Sequence, residues 1–268
     1  MLRKLENIGT KFYIGLIFFF LYAPIAVLIV FSFNDSKSMA TWNGFTFKWY
    51  GELLNNDRIL TALYYTLCIA LISALVATII GTVSAIGIHK STGFRKKLLL
   101  NINYIPVLNP DIVTGISLMC LFIFLRGFMD ISFGFLTMLL AHITFNIPYV
   151  ILSVLPKLRQ LPLNLEDAAL DLGATPSYAM RKVILPQIKP GIISGFLIAF
   201  TMSIDDFVIS FFTTGPGVTN LSIEIYSMAR RGIKPEINAL STIMFLLVLI
   251  LLLFINKKDS IVRSGSIE

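Results

Sequence analysis

The apolar positions of this chain come in long unbroken runs, without the one-faced patterning of a soluble domain. Six runs stand out, at roughly 12–33, 59–88, 98–125, 131–155, 192–212 and 237–255. Each holds about 19 residues or more, the length of helix that crosses the hydrocarbon of a bilayer. None alternates with the period of two expected of an outer-membrane strand. The pattern predicts an all-α membrane protein of six transmembrane helices. The first run follows Arg3, Lys4 and Lys11 and continues to "FSFND" with no small-residue cleavage pattern, so it reads as an uncleaved span. The second, at 30 residues, is longer than the bilayer requires, and its end should tilt or protrude.

Composition agrees, and charge adds an orientation. Hydrophobic residues make up 56% of the chain and charged ones 14%, against about 25% charged in a soluble domain. Mean hydropathy is +0.81. By length the chain reads as a single transmembrane domain, 1–268. Of its 22 Lys and Arg residues, 15 lie in the N-terminus, the 89–97 and 156–191 loops and the C-terminal tail. The positive-inside rule then places both termini and the 156–191 loop in the cytoplasm. The net charge of +7 is thus a topology signal and gives no reason to invoke nucleic acid. Cys68 and Cys120 both fall inside apolar runs and read as packed thiols, outside any disulfide framework.

One polar loop is unlike the others. "NLEDAALDLGATPSYAMRKVILPQIKPG", residues 164–191, reads as two short helices around a glycine. Asn164 is placed to cap the first helix, with Asp167 completing a weak capping box. Gly173 stands where a left-handed C-terminal cap is wanted. Thr175 and Pro176 read as N-cap and first residue of a second helix, which Pro186 ends. Ala168 and Ala169 make the first helix thin, with Glu166, Asp167 and Asp171 as its charged rim. Such a helix suits a groove on another protein. An ordinary solvated hairpin has the same local signals.

The loop resembles the EAA loop of the membrane subunits of ABC importers, whose pattern is E-A-A, three residues, Gly, nine residues, then I-x-L-P. Asp167, Ala168, Ala169, Gly173, Val183, Leu185 and Pro186 fall at matching positions, with Asp for Glu (Glu166 is adjacent) and Val for Ile. The resemblance extends to "LYAPIAVLIVFSFNDS", "NPDIVTGISLM", "AHITFNIPYV" and "SIDDFVISFFTTGP", which look like the second (C-type) permease subunit of spermidine/putrescine importers. It implies a type I importer (MetI-like) architecture in a bacterial cytoplasmic membrane. It also implies a coupling loop docked on a cytoplasmic ATPase present in two copies, a related second permease subunit and an extracytoplasmic binding protein. No cofactor is expected on the chain itself, with ATP and Mg held by the ATPase; "GIHKSTG" at 87–93 lacks the ending of a phosphate-binding loop. Permeases for iron, sulfate, molybdate or thiamine are the alternatives, and a stand-alone carrier using Asp205 and Asp206 is a more distant one.

Three acids interrupt the apolar runs. Asp205 and Asp206 stand near the middle of the 192–212 run, where one central Asp costs roughly 2.5–3.5 kcal/mol on insertion scales. They either line a water-filled path, which suits a polycationic solute, or cap a broken helix and pair with neighbours. Adjacent residues point about 100° apart on a helix, so the two are not expected to share one path. Asn109 reads as an N-cap and Pro110 as the first helical residue, which makes Asp111 a first-turn acid at the positive end of a helix, in a span broken between Pro106 and Pro110. His142 and Asn146 read as interhelical hydrogen-bonding groups, and no Cys or carboxylate stands near them at metal-ligand spacing. The aromatic residues of the 34–58 loop, Trp42 and Trp49 among them, read as an interfacial belt.

Overall fold

The computed structural model describes residues 2–36, 41–162, 164–231 and 235–264. Eleven helices follow one another among them. They are α1 (Leu2–Phe31), α2 (Lys48–Leu54), α3 (Asp57–Lys90), α4 (Gly93–Leu108), α5 (Asp111–Arg126) and α6 (Phe135–Arg159). After the polar loop come α7 (Leu165–Asp171), α8 (Pro176–Asp205), α9 (Val208–Thr213), α10 (Leu221–Arg230) and α11 (Pro235–Ser264). Four stretches are long and apolar enough to cross a membrane: Thr10–Phe31, Asp57–Lys90, Phe135–Arg159 and Pro176–Asp205. The pair α4 and α5, bent by 105° at the break between them, forms a broken span or a re-entrant loop and makes a fifth if counted as one span. The sixth run lies on α11, whose described apolar part is Pro235–Ile250.

The break falls at Asn109–Pro110, where the sequence places it, but one residue out of phase. Asn109 closes α4, and Pro110 is the N-cap, extended at φ −58° and ψ 140°. Proline has no N–H for the preceding turn, and it biases the residue before it away from helix. Asp111 is thereby the first residue of α5, at the positive end of its dipole.

The chain divides into two compact units, residues 61–223 and residues 1–60 with 224–268. In the first, α6 is the central helix, and α3 and α8 lie against it through small residues. Ala74, Ala77 and Ala85 on α3 and Ala199 on α8 are fully buried against Val150, Ile151, Val154 and Leu158 of α6. A Cβ on Gly81 would stand 2.7 Å from Cβ of Val150, and one on Gly195 would come 3.3 Å from the Val150 Cα. Hydrocarbon gives apolar helices no reason to associate for burial alone, so close backbone approach and its dispersion energy hold them. Beside this seam, Leu118 and Phe122 of α5, Ala141 and Phe145 of α6 and Ile209 of α9 form a second cluster.

In the other unit, α11 lies on α1 and α2. The loop after α1 is tied at Asn34, whose Oδ1 accepts from the backbone N–H groups of Ser36 and Asn43. Its carbonyl accepts from the Trp49 indole at 2.7 Å. Trp49 is therefore core, buried to 3% exposure, and stands outside the aromatic belt; Trp42, Phe45 and Phe47 remain exposed. An indole N–H needs a partner once its ring is buried, and the Asn34 carbonyl supplies it.

Candidate functional site

Two sites lie at opposite ends of one helix. At the start of α8 is the polar loop. α7 carries no buried residue, and Asn164 occupies the N-cap position without a side-chain hydrogen bond, so the capping box of the sequence reading is not formed. The far end is capped as expected. Gly173 has φ +85°, its N–H donates to the Leu170 carbonyl at 2.9 Å, and that of Ala174 donates to Ala169 at 3.1 Å. That pair of bonds is a Schellman cap, and its left-handed residue favours glycine. Thr175 Oγ1 then accepts from the Tyr178 N–H, with Pro176 as the first residue of the next helix.

Pro186 does not end that helix. The chain stays helical from Pro176 to Asp205, with a π-helical turn over Ala179–Ile184. Pro186 sits at the beginning of the α-helical stretch that follows this turn. There the hydrogen-bond register changes from i→i+5 to i→i+4, so the missing proline N–H falls at a junction instead of tearing a regular ladder. Consequently the second helix of the loop and the apolar segment after it are one rod of 30 residues, about 45 Å long.

The motif residues divide between open and half-buried positions. Asp167, Ala168, Gly173 and Pro186 are exposed; Ala169, Val183 and Leu185 are half-buried. Around them Leu172, Tyr178 and Leu170 expose 90%, 57% and 36% of their surface. Glu166 faces inward and forms an ion pair at 2.5 Å with Lys90, the last residue of α3.

The other site is where α8 stops. Asp205 is its final residue, Asp206 is extended at ψ 124°, and α9 restarts at Val208. The acids thus stand at a helix break and not in mid-span, which corrects their expected position. Their environments differ sharply. Asp205 is exposed. The Asp206 side chain is 7% exposed, and its Oδ1 accepts from the Ile209 N–H at 3.2 Å. Its Oδ2 accepts from Ser210 twice, from N–H at 2.7 Å and from Oγ at 2.8 Å. This carboxylate caps α9, meeting orphan amides and the positive dipole end together.

Further groups converge on the break. His142 on α6 is 1% exposed; its Nδ1 lies 2.5 Å from Ser203 Oγ and its Nε2 lies 2.9 Å from Ser210 Oγ. Nε2 is also 3.4 Å from the Asp206 carboxylate. Asn220 donates to the Asp206 carbonyl and to Ser210 Oγ. Ser203 continues to Ser73 on α3 at 3.1 Å, which Asn146 approaches at 3.5 Å. Asp111 is brought near without joining: Gly115, one turn along α5, packs against Phe212 and the Val208 carbonyl. Among the described residues no hydrogen bond or ion pair links Asp111 to either acid at the break. Sequence reading placed His142 and Asn146 correctly as interhelical groups but missed Ser73, Ser203 and Ser210. Isolated serines in apolar runs carry no period that marks them as partners.

Helices long and apolar enough to cross a membrane, an exposed polar loop and a buried polar cluster at a helix break describe an integral membrane protein with a polar interior site. Residues 77–257 match the family described as "Binding-protein-dependent transport system inner membrane component", and the chain belongs to it. Among curated relatives, the "Putrescine transport system permease protein PotI" of Escherichia coli (strain K12) is 43% identical over 234 residues, covering 84% of this chain and 82% of the relative. The "Spermidine/putrescine transport system permease protein PotC" of the same strain is 40% identical over 237 residues, covering 88% of each. Among solved structures, a chain of a bacterial ABC transporter that imports the acidic polysaccharide alginate superposes with a TM-score of 0.74 at 18% identity, covering 96% of this chain and 98% of that one. A chain of the MetNI methionine ABC transporter gives 0.61 at 20% identity, covering 78% and 98%. The two structures establish the type I permease fold.

Proposed function

We propose that this chain is a membrane-spanning subunit of an ATP-driven importer of polyamines, spermidine or putrescine. The observation that carries the reading is 40–43% identity, over most of the chain, with permeases named for those solutes. Exposed acid at a membrane-depth helix break supports it, because an ammonium about 4 Å from a carboxylate gains roughly 4 kcal/mol at an effective dielectric near 20, before desolvation. Asp205, exposed at the break, and Asp111, exposed at the start of α5, are the candidate contacts on the path. Asp206 serves as the cap that holds the break open.

The whole chain acts as one permease domain, multi-pass in a bacterial cytoplasmic membrane, with both termini and the 156–191 loop inside. The subunit has no ATPase site of its own. ATP and Mg are handled by a cytoplasmic ATPase, present in two copies, that receives Asp167, Ala168, Ala169 and the exposed Leu172 in a cleft. Water-exposed leucine and tyrosine on a short helix favour a protein partner. A related permease subunit completes the pathway, and an extracytoplasmic binding protein delivers the solute. Because the coupling loop and the break are the two ends of α8, displacement of the handle by the ATPase reaches Asp205 along a single rod.

Reconstitution tests the reading. The permease pair, its ATPase and its binding protein are placed in liposomes, and uptake of labelled spermidine, putrescine, sulfate and thiamine is followed with and without ATP. Saturable, ATP-dependent polyamine uptake is expected. Uptake of sulfate or thiamine in its place would overturn the substrate, and uptake without the ATPase would overturn the mechanism.

A further inference from the structure

The break between α8 and α9 is bridged by a single imidazole. Ser203 stands two residues before the end of α8, and Ser210 is the third residue of α9. His142 reaches the first with Nδ1 and the second with Nε2, from a third helix. It is buried to 1% exposure, and so are both serines to 2% or less. No backbone hydrogen bond has to span the gap if this side chain does.

Donor and acceptor roles follow from the Asp206 end of this chain of contacts. Ser210 gives its hydroxyl proton to the Asp206 carboxylate, so its oxygen can only accept from the imidazole. Nε2 also faces the carboxylate itself at 3.4 Å, a second acceptor. Nε2 therefore carries a proton. At the other end Ser73 Oγ donates to the Ala70 carbonyl at 3.3 Å and lies 3.1 Å from Ser203 Oγ, a contact in which either hydroxyl can be the donor. With the Ser73 proton turned to Ser203, Ser203 donates to Nδ1, which is then unprotonated. That arrangement is a one-way relay of hydrogen bonds, Ser73 to Ser203 to His142 to Ser210 to Asp206, in which every hydroxyl both gives and accepts.

We propose that His142, as the neutral Nε2–H tautomer, is the clasp across this break and a positioning residue for transport, holding α9 and the capped Asp206 in fixed register with α8. It does not touch the solute. Its role is to keep the two half-helices moving as one when the coupling loop displaces α8. The proposal rests on the permease reading and is independent of which solute is carried.

Nitrogen-15 NMR of the assembled complex tests the tautomer without any substrate. The imidazole signals that vanish in His142→Gln belong to this ring, since the chain has only one other histidine, His89. One protonated and one bare nitrogen are expected, and Ser210→Ala should shift the protonated one. An Nδ1–H ring, or a doubly protonated ring paired with Asp206, overturns the relay. Transport supplies the second arm, with the solute established for the complex. His142→Phe keeps a flat ring and removes both contacts, whereas His142→Gln keeps one acceptor and one donor. Phe should slow turnover roughly tenfold, the equivalent of about 1.4 kcal/mol at the barrier, with half-saturation little changed, and Gln should recover most of the loss. Equal turnover in Phe and wild type overturns the clasp. If the Phe complex does not assemble, the spectrum and the Gln variant still decide.

Discussion

At the scale of residues, the clearest lesson is that Asp205 and Asp206 do different work although they are neighbours. One is exposed at the end of α8, and the carboxylate of the other is buried with four contacts, three from the first turn of α9 and one from His142 on α6. The same substitution should therefore split them. Asp205→Asn removes a charge from the proposed path and should lower polyamine uptake severalfold while the complex still assembles. Even about 1 kcal/mol of net attraction corresponds to roughly a fivefold change in occupancy. Asp206→Asn exchanges an acceptor for an amide that cannot serve all its donors. A buried charge-assisted hydrogen bond contributes about 1.5–3 kcal/mol, so this variant should lower the thermal stability of the complex. Uptake and melting temperature, measured on both variants, check the assignment. An Asp205→Asn variant with wild-type uptake would remove that acid from the path.

At the scale of elements, the proposed coupling loop depends on a turn and a face. Gly173 at φ +85° is a position where a β-branched side chain is strained whatever space surrounds it. Gly173→Val should disorder the Schellman cap and misplace α7 relative to the rod. Ala169→Arg puts a long cation on a half-buried face and should block docking. Both should leave the chain inserted but uncouple uptake from ATP hydrolysis, read as ATP consumed per solute in proteoliposomes. Normal coupling in both would leave the segment without its explanation. The Lys90–Glu166 pair adds a tie between α7 and the end of α3. Being half exposed, it contributes at most about 1 kcal/mol.

At the scale of the whole molecule, the distribution of basic residues predicts which ends face the cytoplasm. Ser177→Cys, in a chain whose native Cys68 and Cys120 are replaced by Ala, should resist an impermeant thiol reagent in intact cells and react once membranes are opened. Ser177 is exposed at the start of α8, so the reagent can reach it if it stands on the accessible side. Labelling from outside intact cells would invert the topology and separate the loop from a cytoplasmic ATPase.

Much of this architecture was legible in the chain because hydrocarbon imposes a simple rule: long apolar runs must be helices that satisfy their own backbone. The same simplicity made the Pro110 break, the Gly173 turn and the loop motif readable, since each is decided by local backbone chemistry. What sequence could not decide was whatever depended on neighbours. Pro186 looks like a helix stop until a π-helical turn absorbs its missing N–H, and that turn joins the coupling loop to the break. Two adjacent aspartates are alike in sequence and become unlike only where α9 offers its amides to one of them. Trp49 reads as a belt residue until Asn34 supplies a buried partner. Helix formation is a property of each segment; the pairing of serines, imidazole and carboxylate across four helices exists only when all are packed, which is why the tertiary structure alone revealed it.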